Sequence, residues 1–168
     1  MNDLPEVFDN GCQPVILDNT KINCLMYADD VILLSETAEG LQNCLDKLYK
    51  YCEQWGLEVN LKKTKSLIFN NTGRLEQMKF TYNKEVVENV RKYSYLGITF
   101  SNSGSFTEAK KELYQKGLKA YFKFRKCFEH HKPKIKTLYV FDHTIKPVLL
   151  YESEIWGILF CRKIKEIL

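Results

Sequence analysis

Two adjacent carboxylates, Asp29 and Asp30, lie between two short apolar runs, residues 24–27 and 31–34. Each run is about as long as one strand and is apolar at both even and odd positions. This pattern predicts two strands that are buried on both faces, with the acidic pair at the tip of the hairpin between them. Carboxylates beside a dry sheet are tolerated when hydrogen bonds, solvent or a bound cation compensates their charge.

The acidic pair has two interpretations. In the first, Asp29 and Asp30 form an Asx-type turn that satisfies the backbone donors of the hairpin, because Asp tolerates the left-handed conformations of tight turns. Taken alone, the dipeptide favours this turn. In the second, the carboxylates bind Mg²⁺ or Mn²⁺, which prefer hard oxygen ligands and serve in pairs in phosphoryl-transfer enzymes. The second interpretation requires a further acidic ligand from another strand.

Several segments around the acidic pair resemble, in the same order, those of the reverse transcriptases of non-LTR (LINE-type) retrotransposons. The Tyr-Ala-Asp-Asp tetrapeptide resembles the metal-binding hairpin of that family, and the other resembling segments are residues 1–5, 37–55, 56–65, 92–100 and 145–157. The resemblance implies an α+β fold: a partial polymerase palm, built of an antiparallel hairpin with a packed helix, followed by an α-helical thumb. It implies a C-terminal palm part over residues 1–91, a primer-grip-like hairpin and turn over 92–104, and the thumb over 105–168.

The resemblance also implies a function, RNA-templated DNA synthesis by two-metal nucleotidyl transfer. Its cofactor would be Mg²⁺ or Mn²⁺, and its partners an RNA template, a DNA primer and deoxynucleoside triphosphates. Asp29 would be the main metal ligand with Asp30 beside it, and Lys63 or Lys65 would assist at the leaving pyrophosphate. Tyr27 would contact the primer end or the nucleotide, and Gly97 would allow the backbone to approach the primer closely.

Local sequence leaves a plainer interpretation open for four of these residues. Lys63 and Lys65 fit a solubilising turn, Tyr27 fits a buried strand aromatic, and Gly97 fits a simple strand kink. The strand that carries the first catalytic Asp in the family has no counterpart here, since Asp3, Asp9 and Asp18 lie in turn-rich sequence. We therefore expect a C-terminal part of a reverse transcriptase, beginning at an internal methionine, that is inactive by itself.

Charge divides the chain sharply. Residues 1–60 hold 11 Asp and Glu against 3 Lys and Arg, whereas residues 61–168 hold 10 against 22. Within the second part, four lysines at helical spacing predict a stripe that is either a solvated face or, as the resemblance favours, a surface for the phosphates of a template–primer duplex. These lysines are Lys116, Lys119, Lys123 and Lys126.

Periodicity and turn residues predict the elements that position these groups. The helix at 37–55 is expected to begin after Thr37 as N-cap and to end at Gly56, with an apolar face formed by Leu41, Cys44, Leu45, Leu48, Cys52 and Trp55. Strands are expected at 22–27, 31–35, 66–70, 79–82 and 85–90, with the strand at 66–70 returning beside the acidic hairpin. A hairpin at 93–100 then precedes a helix with a capping box at 105–108 and an apolar face that includes Tyr121, and a second helix runs from Pro133 to about Tyr151.

Composition narrows the class of protein. No apolar run is long enough to span a bilayer and no secretion signal begins the chain, so we expect an intracellular protein in nucleus or cytoplasm that has no membrane partner. The six cysteines are scattered, which favours reduced, mostly buried thiols over a zinc site or a disulfide framework. Two functional alternatives remain: a non-enzymatic nucleic-acid-binding remnant that uses the basic thumb, and a truncated gene model without independent function.

Overall fold

The computed structural model describes residues 3–8, 11–70, 72–128 and 135–155. The chain divides into two compact units: the first unit comprises Met1–Ile68 and Leu75–Val90, and the second unit comprises Phe69–Arg74 and Arg91–Leu168. Both are mixed α and β structures, so the predicted α+β class is confirmed at that level. Across the described residues, no helix is both long and apolar enough to cross a bilayer.

The first unit is built from short strands and one long helix. In chain order its elements are α1 (Leu4–Val7), β1 (Val15–Leu17), β2 (Thr20–Ile22), β3 (Cys24–Tyr27), β4 (Asp30–Leu33), α2 (Ala38–Trp55), β5 (Lys65–Ser66), β6 (Phe80–Tyr82) and β7 (Glu85–Asn89). Strands β1 and β2 form one antiparallel hairpin, β3 and β4 form another, and β5, β7 and β6 form a three-stranded sheet in that order.

Helix α2 agrees with the prediction at both ends. Thr37 Oγ1 accepts a hydrogen bond from the Gly40 amide at 3.0 Å, and Gly56 ends the helix with a left-handed φ of 62°. Trp55 was expected in the core but is 58% exposed. Tyr51 is buried instead, where it packs in one cluster with Leu4 and Phe8.

Two apolar clusters that share the helix α2 hold the first unit together. One contains Leu4, Phe8, Cys12, Cys44 and Tyr51, and the other contains Leu45, Phe80, Tyr82 and Val87. Half-buried Leu33 and Leu48 contact both clusters. The acidic hairpin is therefore anchored to α2 through one face of its second strand.

Two predictions about the strands of the first unit are wrong. The β3–β4 hairpin is not buried on both faces: it pairs with no third strand in the described part of the chain, and Leu25, Met26 and Tyr27 remain exposed. The strand expected at 66–70 is the two-residue β5, which pairs in parallel with β7 and not with the acidic hairpin. It is short because Phe69 already belongs to the second unit.

The second unit packs helices on a hairpin. Its elements are β8 (Lys92–Tyr95), β9 (Ile98–Ser101), α3 (Thr107–Phe128), α4 (Ile135–Thr144) and α5 (Lys146–Leu149). Ala109, Leu113 and Gly117 form the buried face of α3, and the Phe124 ring lies 5.9 Å from that of Phe141 in α4.

The helices of this unit depart from the prediction in three places. The capping box does not form, since Ser105 Oγ accepts from the Thr107 amide at 3.3 Å and the Glu108 carboxylate binds Lys92 instead. Tyr121 is 41% exposed at the edge of the apolar face. The second helix is divided into α4 and α5 because Pro147 has no amide to continue the ladder, and its expected start at Pro133 lies outside the described residues.

Five cysteines in the described residues are free thiols. Cys12, Cys44 and Cys52 are buried, Cys24 is half-buried and Cys127 is exposed, while Cys161 lies outside the described residues. Burial raises the pKa of the Cys44 thiol, as does the neighbouring Cys12. These buried thiols behave as small apolar side chains of the core.

Candidate active site

The acidic pair occupies a two-residue hairpin turn. Tyr27 pairs with Asp30 across the hairpin, so Ala28 and Asp29 are the two central residues of the turn. Ala28 has a φ of 54° and Asp29 does not have a positive φ, which is the pattern of a type II′ turn. The turn is thus tight, and it places two consecutive carboxylates at its tip.

Both carboxylates face solvent. Asp29 and Asp30 are exposed, and within the described residues neither side chain accepts a hydrogen bond from the turn. The Asx-type capping that the dipeptide alone favours is therefore not what these side chains do. Their oxygens are accessible to a cation, but no group of three or more His, Cys, Asp and Glu side chains arranged for a metal ion occurs among the described residues.

Tyr27 accompanies the acidic pair on the outer face of the hairpin. It is 63% exposed, so its interpretation as a buried strand aromatic is wrong. Directly opposed residues of an antiparallel pair lie within about 5.5 Å of each other, which places Tyr27 beside Asp30. The exposed face of the hairpin thus combines an aromatic ring with carboxylates.

Lys63 and Lys65 lie in a structured turn that leads into β5. The amides of Lys62 and Lys63 donate to Asn60 Oδ1 at 3.1 and 3.3 Å, and Thr64 bonds back to the Asn60 carbonyl. Lys65 Nζ lies 2.6 Å from Glu88 Oε2 in the neighbouring strand β7. The turn orders both lysines within the first unit, and the ion pair restrains Lys65.

Gly97 forms the tip of the β8–β9 hairpin. Leu96 and Gly97 have φ values of 47° and 87°, the pattern of a type I′ turn, so glycine serves the turn and does not kink a strand. Tyr151 Oη donates to the Leu96 carbonyl at 2.8 Å, and a Cβ on residue 97 would lie 3.1 Å from the Tyr151 ring. No local pattern in the sequence predicts this contact, because its partners are 55 residues apart.

The four predicted lysines lie on α3 and are all exposed. Within the described residues, no carboxylate pairs with Lys116, Lys119, Lys123 or Lys126. The nearby acidic residues are engaged elsewhere: Glu112 accepts a hydrogen bond from Thr99 Oγ1 at 2.6 Å, and Glu108 binds Lys92 and Lys111. Hydrogen bonds from Lys92 and Lys111 lower the pKa of the Glu108 carboxyl.

A sequence model of the reverse transcriptase (RNA-dependent DNA polymerase) family matches residues 1–100, which include the acidic hairpin, α2 and the β8 strand. The chain belongs to the reverse transcriptase family. This match confirms the family that the order of motifs indicated.

Individual relatives narrow the family to non-LTR elements. The chain is 30% identical over 95 residues to the retrovirus-related Pol polyprotein from type-1 retrotransposable element R2 of Bradysia coprophila, a match that covers 51% of the chain and 11% of the relative. The corresponding R2 polyprotein of Nasonia vitripennis is 32% identical over 93 residues, covering 50% and 9%. The probable RNA-directed DNA polymerase from transposon BS of Drosophila melanogaster is 29% identical over 160 residues, covering 84% and 17%. The chain thus spans less than a fifth of the length of each of these reverse transcriptase relatives.

Proposed function

We propose that this chain supplies the C-terminal palm, the primer-grip hairpin and the thumb of an RNA-directed DNA polymerase. Residues 1–91 would form the palm part, residues 92–104 the hairpin and turn, and residues 105–168 the thumb. The chain passes from the first unit to the second after Val90, which supports the proposed boundary between the palm part and the hairpin. The observation that carries the proposal is the exposed acidic turn of Asp29 and Asp30 within a chain of this family.

The two carboxylates fit a divalent metal in their chemistry. Asp29 and Asp30 would hold Mg²⁺ or Mn²⁺ through hard oxygen atoms, and the described residues offer no third carboxylate beside them. When bound, such ions lower the pKa of the attacking hydroxyl and neutralise the charge that develops on the phosphates. Because the metal site is incomplete in the described part of the chain, we expect no polymerase activity from residues 1–168 alone.

The chain's own residues would serve the reaction in distinct ways. The 3′ hydroxyl of a DNA primer, paired to an RNA template, attacks the α-phosphate of a deoxynucleoside triphosphate, and pyrophosphate leaves. Lys63 or Lys65 would donate a proton to that pyrophosphate or balance its charge. Tyr27 presents an exposed ring beside Asp30 that could contact the primer end or the nucleotide.

Two measurements test this proposal. Mn²⁺ titration of the chain, followed by electron paramagnetic resonance, should show binding that Asp29→Asn abolishes and Asp30→Asn weakens. Asp18→Asn is the matched control, because Asp18 is exposed in the β1–β2 turn and should leave binding unchanged. Equal binding by Asp29→Asn and the intact chain would refute the metal assignment. A primer-extension assay with Mg²⁺ tests the expectation that residues 1–168 alone lack polymerase activity. Robust synthesis by the chain, abolished by Asp29→Asn, would show that this expectation is wrong.

A second candidate, a nucleic-acid-binding module without catalysis, is favoured by the lysine stripe of α3, whose members are exposed and have no carboxylate partner in the part of the chain that the structure describes. Neutralising the four lysines to Gln should weaken binding of a template–primer duplex and lower the slope of log affinity against log salt by roughly 3 to 4 if each contacts one phosphate. Asp29→Asn should leave this binding unchanged. A control with the same change in net charge replaces four exposed lysines of the first unit: Lys21, Lys50, Lys62 and Lys84. Equal losses in both quadruple variants would refute a specific role for the stripe.

A further inference from the structure

Segment Phe69–Arg74 belongs to the second unit although the residues before and after it belong to the first. Two asparagines fix it there: the Asn70 amide donates to the Asn102 carbonyl at 2.8 Å, and Asn102 Nδ2 donates to the Arg74 carbonyl at 3.1 Å. Asn70 Nδ2 closes the segment on itself with a 2.8 Å bond to the same Arg74 carbonyl. These six residues are therefore hydrogen-bonded to the turn that follows β9, within the second unit.

Segment Phe69–Arg74 contributes Phe69 to an aromatic cleft. Phe69 lines a cavity of about 230 Å³ together with Phe100 and Phe106, and Ser101, Gly104 and Ser105 complete its lining. Phe100 and Phe106 pack edge to face with their centroids 5.9 Å apart, while Phe69 stays 57% exposed. Gly104 contributes no side chain to the lining. The volume lies below the usual range for sites of drug-sized ligands and suits a single planar ring system.

The surroundings of the cleft indicate which kind of ring it takes. Arg74 and Arg91 are both exposed, and each is bonded through its backbone carbonyl to Asn102, the neighbour of the lining residue Ser101. No carboxylate of the described residues pairs with either guanidinium. Aromatic rings next to unpaired cations form the usual site for a base with its phosphate, because every base can stack and every phosphate attracts arginine.

We infer that this cleft binds one unpaired nucleobase of a single-stranded nucleic acid, with Phe69 as the stacking surface. The inference rests on the proposed role of the second unit in nucleic-acid binding and adds a subsite to it. The base lies against Phe69 between the aromatic walls, and its flanking phosphates face Arg74 and Arg91. Such a site would hold a strand that has left the duplex. The lysine stripe of α3 would bind phosphates and would not distinguish such a strand from a duplex.

The test compares two strands that carry equal charge. Fluorescence anisotropy at one fixed salt concentration measures the affinity of the full chain for an oligodeoxyadenylate and for an abasic strand of the same length. The intact chain should bind the base-bearing strand roughly 5- to 150-fold more tightly, the range that one stacked base supplies. Phe69→Leu should remove most of this ratio because Leu is apolar but cannot stack, whereas Phe69→Tyr should retain it.

A control variant and the possible results distinguish the nucleobase site from the nucleic-acid binding on which it rests. Tyr139→Leu is the matched control, since Tyr139 is a 64% exposed aromatic on α4 and should leave the ratio unchanged. A ratio near one in the intact chain, or an undiminished ratio in Phe69→Leu, overturns the nucleobase site while binding through the lysines stands. A cleft that takes an apolar peptide segment instead would give a ratio near one in the intact chain. Failure of the intact chain to bind either strand also overturns the nucleobase site, whereas binding of the template–primer duplex, measured separately, decides whether binding through the lysines stands.

Discussion

Replacing Gly97 with Ala should destabilise the second unit by two separable effects. The φ of 87° at residue 97 costs a side chain about 1–2 kcal/mol. A Cβ there would also lie 3.1 Å from the Tyr151 ring, so the ring must shift and weaken its hydrogen bond to the Leu96 carbonyl, worth about 1 kcal/mol. We expect Gly97→Ala to lower the free energy of unfolding by about 2–3 kcal/mol.

Urea and thermal unfolding, followed by circular dichroism, measure this loss. For a chain of this length, the melting temperature should fall by roughly 5 to 10 °C. Gly104→Ala is the matched control, because Gly104 also has a positive φ of 68° but no neighbour within 4 Å of its Cβ position. It should therefore show the backbone effect alone, about 1 kcal/mol less than Gly97→Ala.

A double-mutant cycle isolates the contact with the ring. Tyr151→Phe removes only the hydroxyl and should cost about 1 kcal/mol in the intact chain, but almost nothing when Gly97→Ala is already present. Equal losses for Gly97→Ala and Gly104→Ala, together with additive effects in the cycle, would refute the contact between Tyr151 and the hairpin tip.

Three other substitutions test the first unit. Thr37→Ala removes the oxygen that accepts from the Gly40 amide and should lower the free energy of unfolding by about 1 kcal/mol in urea titrations; an unchanged midpoint would contradict the cap. Ala28→Gly relieves the positive φ of the acidic turn and should raise that free energy by about 1 kcal/mol, whereas a loss would show that the turn is unstrained. The hydrogen bond from Tyr51 lowers the pKa of Asp3 below its ordinary value of 3.8, so its stabilisation is present above that pH and is lost as the pH falls through the lowered pKa. Tyr51→Phe should therefore make the melting temperature fall less steeply as the pH is lowered. An unchanged dependence of the melting temperature on pH would contradict this role of the hydrogen bond.

Sequence alone determined the elements whose cause is local. Thr37 and Gly56 bound α2 as predicted because capping depends on residues within one helical turn. Asn83 and Lys84, with φ values of 48° and 66°, join β6 to β7 in the gap between the strands predicted at 79–82 and 85–90. The order of motifs also indicated the reverse transcriptase family, which the match over residues 1–100 confirms.

Only the tertiary structure decided which faces are covered and which distant segments meet. Tyr27 and Trp55 are apolar in pattern yet exposed, because burial depends on what packs against a face and not on the residue that occupies it. Lys65 pairs with Glu88 in a parallel strand, and segment Phe69–Arg74 joins the second unit, through contacts that periodicity within either segment does not encode. Short-range patterns therefore determined α2 and the turn between β6 and β7. The packing of the acidic hairpin on α2, the hydrogen bond from Tyr151 to Leu96 and the aromatic cleft arose instead from contacts between residues far apart in sequence.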